Sequence, residues 1–423
     1  MYNLKCKTVV IGVSGGVAAY KAVDVVSRLK KMDANVRVVM TQNACEFVAP
    51  LTFESISQNA VATEMFTPTR REIEHISLAD AADVYAIIPA TANVIGKLAN
   101  GIADDILTTS VMAAATRKPI LIAPAMNTFM YANPVVAQNI EKLADLGYHI
   151  VEPASGRLAC GIVGKGKLAS VDTIVEKITE LALYPTKDLQ GKTVLVTAGA
   201  TEESLDPVRF ITNHSSGKMG YAIARAAKFR GANVVLVAGR TNLPDIPGVE
   251  MVKISSAQEM YDEVMRRAEN TDIIVKAAAV GDYRAVEISA EKIKKSNKTV
   301  GDGVIDVPHN ENSVTIELTQ NPDILQELGE KYAGEKTIVG FCMETENLIE
   351  NAREKLERKR AYMIVANNLN VDGAGFAGDT NVVTIVDKLG KVTELEKMQK
   401  DELAHKILDM ILELPKRVSD GKR

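Results

Sequence analysis

Thr8-Val-Val-Ile-Gly-Val-Ser-Gly-Gly-Val-Ala-Ala-Tyr-Lys21 begins as a β-branched run and passes through Ser14, Gly15 and Gly16 into an alanine-rich helical pattern. A short apolar run closed by glycine reads as a strand buried on both faces, and the segment after it as a helix laid over that strand. The same order recurs along the chain. Asn35–Thr41, Val84–Pro89 and Ile120–Pro124 read as further parallel strands with helices between them, closed by a helical stretch over Ser170–Leu183. After Tyr184-Pro-Thr-Lys-Asp-Leu-Gln-Gly191 the pattern restarts, with a strand at Thr193–Ala198, a helix at Gly217–Arg230 and a strand at Asn233–Ala238. Asp272–Ala277 and Lys336–Phe341 continue this second set. Two strand–glycine turn–helix openings predict an α/β protein of two doubly wound domains, 1–186 and 187–423. The length of 423 residues agrees, being more than one hydrophobic core ordinarily serves.

Apolar residues make up 46% of the chain and charged residues 25%, and the net charge is −4. Such a balance offers no electrostatic footprint for nucleic acid or an anionic membrane. With aromatics at 4% and no tryptophan, a base-stacking platform is also excluded. Cys6, Cys45, Cys160 and Cys342 are scattered, with no C-x-x-C pair and no histidines at metal spacing, which argues against a disulfide framework or a structural zinc site. The run Val9–Val13 is too short for a signal-peptide core, and no stretch approaches the ~18 apolar residues of a membrane span. The expected setting is the reducing cytoplasm.

The turn at Gly12–Lys21 leaves a strand and enters a helix, so its backbone N–H groups and the helix dipole suit a phosphate. Pro89-Ala-Thr-Ala-Asn93 also follows a strand's carboxyl end, where ligands of open α/β sheets bind. Thr91 and Asn93 there are either donors to the same phosphate or helix caps. His75 follows the loop Thr67–Arg71. Asn127 ends Ala123-Pro-Ala-Met-Asn127, where an amide orients a carboxylate or caps the helix from Thr128 onward. Cys160 lies in Ser155–Lys167, a glycine-rich, basic stretch without apolar periodicity that reads as a mobile loop, not the usual place for a structural thiol.

In the second half, Val196-Thr-Ala-Gly-Ala-Thr-Glu-Glu203 leads into a long loop that ends at Asn213-His-Ser-Ser-Gly-Lys-Met-Gly220. Ser215, Ser216 and the amides after Gly217 form an anion site or a serine-capped helix start. Lys276-Ala-Ala-Ala-Val-Gly-Asp-Tyr283 and Glu291-Lys-Ile-Lys-Lys295 follow. Asn321-Pro-Asp-Ile324 reads as a helix start, with Asn321 as cap and Pro322 at the first position. A helix over 347–361 places Lys355 and Lys359 on one face. That face is either solvated or turned toward a leaving polyphosphate.

Residues 5–180 resemble the cysteine-decarboxylating flavoproteins, through Gly12–Lys21, Pro89–Asn93, Pro124-Ala-Met-Asn127 and Ala159-Cys-Gly161. Residues 188–415 resemble phosphopantothenate–cysteine ligases. The whole chain is similar to the bifunctional coenzyme A biosynthesis enzymes that fuse the two in this order. For the first domain the resemblance implies FMN, held by Gly12, Ser14, Gly15, Gly16 and Thr41 on one side and by Thr91, Asn93, Ala125 and Met126 on the other. It further implies His75 near the base and decarboxylation step, Asn127 on the substrate carboxylate, and Cys160 as proton donor in the final reduction. A flavin suits the task, because CO2 loss from a cysteinyl carboxylate leaves a carbanion with no adjacent carbonyl, and oxidation of the neighbouring thiol to a thioaldehyde provides the electron sink.

For the second domain the resemblance implies a Rossmann-like ligase fold in which Asn213 binds the acyl-nucleotide intermediate and Lys292 assists its formation or breakdown. Lys276, Ala277, Ala278, Asp282, Lys292 and Phe341 are implied at the nucleotide, together with Asn321, Pro322, Asp323, Ile324, Lys355 and Lys359. The implied chemistry is ligation of cysteine to 4′-phosphopantothenate with CTP and Mg²⁺ through an acyl-cytidylate. Decarboxylation of 4′-phosphopantothenoylcysteine to 4′-phosphopantetheine follows. Metal ligands are not assigned. Homo-oligomers are implied, trimeric through the flavin domain and dimeric through the ligase domain. Gly281 departs from the alanine expected before Asp282. A peptidyl-cysteine decarboxylase is the enzymatic alternative, opposed by Ala159-Cys-Gly161 and by the fused ligase half. A flavin-binding regulatory protein is the non-enzymatic one.

Overall fold

In the computed structural model the opening β-branched run is strand β1 (Thr8–Val13), all but its first residue buried. The structure describes residues 3–66, 73–158, 161–184, 186–293, 315–344, 346–368 and 378–414. The chain divides into two compact units, Met1–Thr186 and Lys187–Arg423.

In the first unit β1 lies in a five-stranded parallel sheet with β2 (Asn35–Met40), β3 (Val84–Ala90), β4 (Ile120–Pro124) and β5 (His149–Ile150), in the order β2-β1-β3-β4-β5. Successive residues feed opposite cores, as a strand covered on both faces requires. Val9 and Ile11 pack with the Ala19–Lys31 and Val171–Leu183 helices, through Val25, Leu29, Ile174 and Ile178. Val10, Tyr85 and Ile87 pack on the other face against Val94, Leu107 and Val111. This strand order is that of flavodoxin-like sheets, whose switch point lies between β1 and β3. The stretch 155–167, expected as a loop, is instead largely an antiparallel hairpin, β6 (Ala154–Arg157) and β7 (Val163–Lys167), with Arg157 opposite Val163. Apart from Ala154 and the exposed Val163 this ribbon is polar or glycine, so main-chain pairing organises it with no apolar alternation to announce it. Cys160, Ala159, the loop Thr67–Arg71 and Pro185 lie outside the described residues.

The second unit is built on an eight-stranded sheet. Its strands are β8 (Thr193–Ala198), β11 (Asn233–Ala238), β12 (Glu250–Lys253), β13 (Ile273–Lys276), β16 (Thr337–Glu344), β17 (Met363–Asn368), β18 (Thr380–Asp387) and β19 (Val392–Gln399). Their order is β12-β11-β8-β13-β16-β17-β18-β19, parallel as far as β17 and antiparallel beyond. Numbered from its first strand, the parallel part runs 3-2-1-4-5-6, the dinucleotide-fold order, with its switch point between β8 and β13. Two antiparallel ribbons, β9 (Glu202–Ser204) with β10 (Phe210–Thr212) and β14 (Tyr283–Ala285) with β15 (Leu318–Gln320), complete it. Val194 and Val196 pack under the Lys218–Phe229 and Lys400–Glu413 helices. Leu195 and Ile274 pack under Ala257–Ala268, Ile324–Tyr332 and Leu348–Arg358. The far edge strand, β19, turns Glu394, Glu396 and Lys397 to solvent.

Two local expectations are corrected. The helix expected from Asn321 starts at Ile324, and its cap is Asp323, whose Oδ1 accepts from Gln326 N at 3.0 Å. Pro disfavours helical geometry in the residue before it, which holds Asn321 outside the helix. The helix expected over 347–361 spans Leu348–Arg358 and ends before Lys359, with Arg360 at a positive φ of 47°. Among the described residues no helix is long and apolar enough to cross a membrane.

Candidate active sites

In the first unit Ser14–Gly16, Thr41, Thr91, Asn93 and Ala125–Asn127 gather at the carboxyl edge of the sheet, because they follow β1, β2, β3 and β4 in turn. Ser14, 1% exposed, ties the switch point together: its Oγ donates to Pro89 O at 2.7 Å and accepts from Thr91 N at 3.0 Å. The helix that follows opens at Ala18 without a side-chain cap and without an acid in its first turn. Its positive end therefore suits an anion. A Cβ on Gly15 would fall 2.5 Å from Asn43 Cβ, so the turn is pressed onto the Gln42–Cys45 helix, which Thr41 caps through Ala44 N at 3.3 Å. A Cβ on Gly16 would meet only Thr91 Cγ2, at 3.6 Å. Space is therefore left for a bound group to approach the backbone of that glycine. Gly12 is different, since a Cβ would strike Leu107 Cδ1 at 2.4 Å, so its missing side chain makes room in the core.

Thr91 caps the Ala92–Ala99 helix, and Asn93 is exposed on its first turn. Asn127 Oδ1 accepts from Phe129 N at 2.8 Å and so caps the Thr128–Tyr131 helix. Ala125 N donates to Ala90 O at 3.1 Å and Met126 N to Gly166 O at 3.0 Å, so this loop bridges β3 and the hairpin. The hairpin closes through Leu158 N to Ile162 O at 2.8 Å, on either side of the Ala159–Cys160 pair. His75 is partly exposed on the first turn of the Glu74–Ala81 helix. Only two residues join that helix to β3, so its first turn lies toward the edge that carries Ser14 and Thr91.

In the second unit a cavity of about 300 Å³ opens beside the switch point, lined by 215–220, 276–280, Asp282, 341–343, Lys355, Asn367, Asn381 and Lys400. Lys276, Ala277, Ala278, Asp282, Phe341 and Lys355 all line it. Burial, followed by the charge of Lys355, pushes the Lys276 ammonium down to about 8. Asn213 Nδ2 donates to Val280 O at 3.1 Å, which places Asn213 beside the same stretch. Gly281 is held at both ends, its N donating to Thr201 Oγ1 at 2.9 Å and its O accepting from Asn321 Nδ2 at 2.8 Å. The departure from alanine therefore leaves this loop anchored.

The remaining residues assigned to the nucleotide do not line the cavity. Asn321 supports the Gly281 loop, Ile324 is core, and Lys359, 6% exposed, is paired with Asp323 and with Gln326 Oε1 at 3.0 Å. Burial works against ionising Asp323, yet Lys359 and the Gln326 amide hold its carboxyl below the usual range. Lys292 is exposed and does not line the cavity. Its segment is pinned by Asp206, whose Oδ2 accepts from Ile293 N at 3.0 Å. Sequence reasoning missed Asn367, Asn381 and Lys400. Asn367 is the last residue but one of a buried strand, a position that could have found it, and Asn381 Nδ2 donates to its Oδ1 at 3.3 Å. Lys400 starts a helix after an antiparallel strand and carries no such signal.

Two doubly wound units, each with its glycine turn at the switch point of its sheet, define a two-domain α/β protein for phosphate-bearing ligands. Residues 2–183 match the family model Flavoprotein, and residues 189–414 match that of the DNA/pantothenate metabolism flavoprotein C-terminal domain. The chain is 45% identical over 421 residues to the coenzyme A biosynthesis bifunctional protein CoaBC of Bacillus subtilis (strain 168), covering 99% of each. It is 41% identical over 409 residues to that of Borreliella burgdorferi, covering 96% of this chain and 99% of the relative. A crystal structure of the C-terminal domain of a CoaBC protein is 40% identical with a TM-score of 0.44, covering 53% of this chain and 96% of that one. The chain belongs to the family of bifunctional coenzyme A biosynthesis proteins.

Proposed function

We propose that this chain is a cytoplasmic, homo-oligomeric enzyme that carries out two consecutive steps of coenzyme A biosynthesis. The second unit joins cysteine to 4′-phosphopantothenate at the expense of CTP through an acyl-cytidylate. The first decarboxylates the resulting 4′-phosphopantothenoylcysteine to 4′-phosphopantetheine with FMN. The observation that carries this reading is near-full-length identity of 45% to a bifunctional relative, with both family modules in the same order.

In the first unit the Ser14–Gly16 turn and the Ala19–Lys31 helix start would hold the FMN phosphate, and Thr41, Thr91, Asn93, Ala125 and Met126 would bound the rest of the site. FMN, when bound, supplies the oxidation and re-reduction that let a cysteinyl carboxylate leave as CO2. Asn127 holds that carboxylate, and His75 acts near the base and decarboxylation step. Cys160 returns a proton at the end, a contribution of roughly 10²–10⁴-fold for a positioned donor. In the second unit the amides around Gly217, with Lys276 and Lys355, oppose the negative charge that grows as pyrophosphate leaves, assisted by Mg²⁺. Asn213 holds the acyl-cytidylate, and Lys292 acts at its formation or breakdown.

The test is turnover by purified protein. With 4′-phosphopantothenate, cysteine, CTP and Mg²⁺, pyrophosphate and CO2 should appear in sequence, and CO2 release should require FMN. Absence of pyrophosphate with both CTP and ATP would overturn the ligase reading, and CO2 release from flavin-free protein would overturn the decarboxylase reading.

A further inference from the structure

Past the ends of β8 and β13 the two segments stay side by side. Ala279 N donates to Gly199 O at 2.9 Å, and Thr201 N donates to Ala279 O at 3.3 Å. The next rung is made by a side chain, with Gly281 N donating to Thr201 Oγ1 at 2.9 Å. Thr201 also reaches the arm that carries Asn213. Its carbonyl accepts from Thr212 Oγ1 at 2.7 Å, and Asn213 Nδ2 in turn donates to Val280 O at 3.1 Å. A Cβ at Gly281 would stand 3.2 Å from Glu203 Cγ and 3.5 Å from Thr201 Oγ1, so the loop is pressed closely onto this layer. Thr201 is 0% exposed, and its N–H, its carbonyl and its hydroxyl oxygen are each engaged. A buried polar node shared by two segments fixes their placement relative to each other. Here the two are the loop 279–282, most of which lines the cavity, and the strand end that presents Asn213.

We propose that Thr201 is a positioning residue of the ligase reaction, holding Asn213 and the loop 279–282 in one register. The inference rests on the reading in which Asn213 holds the acyl-nucleotide and this cavity takes the nucleotide. The acyl-nucleotide is then gripped from two segments distant in sequence, and its carbonyl meets the incoming amine only while both stay aligned. A misplacement of about 1 Å costs on the order of 10²-fold in rate. The hydroxyl oxygen is the part of Thr201 that matters for this, because it is the acceptor for Gly281 N next to Asp282. Without it that N–H loses its partner, and the loop shifts to find another. The Thr201 methyl group only fills space.

The test is pyrophosphate release by the full chain with 4′-phosphopantothenate, cysteine, CTP and Mg²⁺, with the stability of each variant followed by urea titration. Thr201→Val keeps the volume and removes the acceptor. Its kcat should fall by about ten- to a hundredfold while KM for CTP stays unchanged. Thr201→Ser keeps the acceptor and loses a buried methyl, so it should be less stable yet turn over like the unaltered chain. A merely structural residue would instead make kcat follow stability across the series. Thr212→Val breaks the second bond from the exposed strand β10, where folding does not depend on it, and kcat should fall in the same sense. Unchanged kcat in folded Thr201→Val overturns the inference, as does Thr201→Ser turning over as slowly as Thr201→Val. If Thr201→Val does not fold, Thr212→Val decides, and normal turnover there overturns the inference. If the unaltered chain itself releases no pyrophosphate, the ligase reading falls first and the inference with it.

Discussion

His405 sits 5% exposed in the Lys400–Glu413 helix beside Arg230, whose guanidinium holds Asp188 at 2.8 Å and Asp409 at 2.7 Å. Burial first, and then Arg230, pushes its imidazolium down to about 3, against the pull of Asp188. In the unfolded chain a histidine titrates near 6.5. Between those values the unfolded state holds a proton that the folded state refuses, so this contribution is complete above pH 6.5 and declines as the pH falls. The slope is ~1.4 kcal/mol per pH unit for one such group. In His405→Met the unfolding free energy, measured by urea titration between pH 6 and pH 4.5, should lose that much of its slope. An unchanged slope would assign the acid sensitivity to other groups. Single side chains also show where sequence spacing stops informing. Lys355 and Lys359 share a helical spacing of four, yet one reaches the cavity and the other is locked onto Asp323. The end of the helix at Arg358 decides between them, and no periodicity marks it.

The hairpin of β6 and β7 is positioned by close backbone approach. Gly166 stands at φ 139°, and a Cβ there would fall 2.5 Å from Met126 O, while Gly166 O accepts from Met126 N at 3.0 Å. Gly166→Ala should therefore push the hairpin off the Ala125–Asn127 loop. A displacement of about 1 Å near reacting groups costs on the order of 10²-fold in rate. CO2 release from supplied 4′-phosphopantothenoylcysteine should drop by that order, with FMN content and pyrophosphate release unchanged. Parallel loss of bound flavin would mean that the hairpin holds the cofactor instead. This element was the least legible in the sequence, since glycine and lysine alternate with nothing apolar to bury. The long strands read cleanly because each is covered on both faces, as β1 and β3 are. The three-residue strands β9, β10, β14 and β15 are too short for any period to emerge.

Among the described residues each unit owns two hydrophobic clusters, one on each face of its sheet, and neither of them takes residues from the other unit. Domains with separate cores fold separately. Fragments 1–186 and 187–423 should each unfold cooperatively, the first releasing CO2 with FMN and the second releasing pyrophosphate with CTP. A folded, correctly assembled fragment without activity would mean that the two sites share residues. The doubled opening motif makes this division readable. The extent of the second sheet is less so, because β18 and β19 reverse direction after the helix–strand alternation has ended. That reversal has a consequence for life at high protein concentration. A strand from another chain that docked along β19 would have to settle among Glu394, Glu396 and Lys397 and strip them of water. Charged outer rows of this kind stop sheets from growing by addition. The second unit should accordingly resist taking on a strand from another chain along β19.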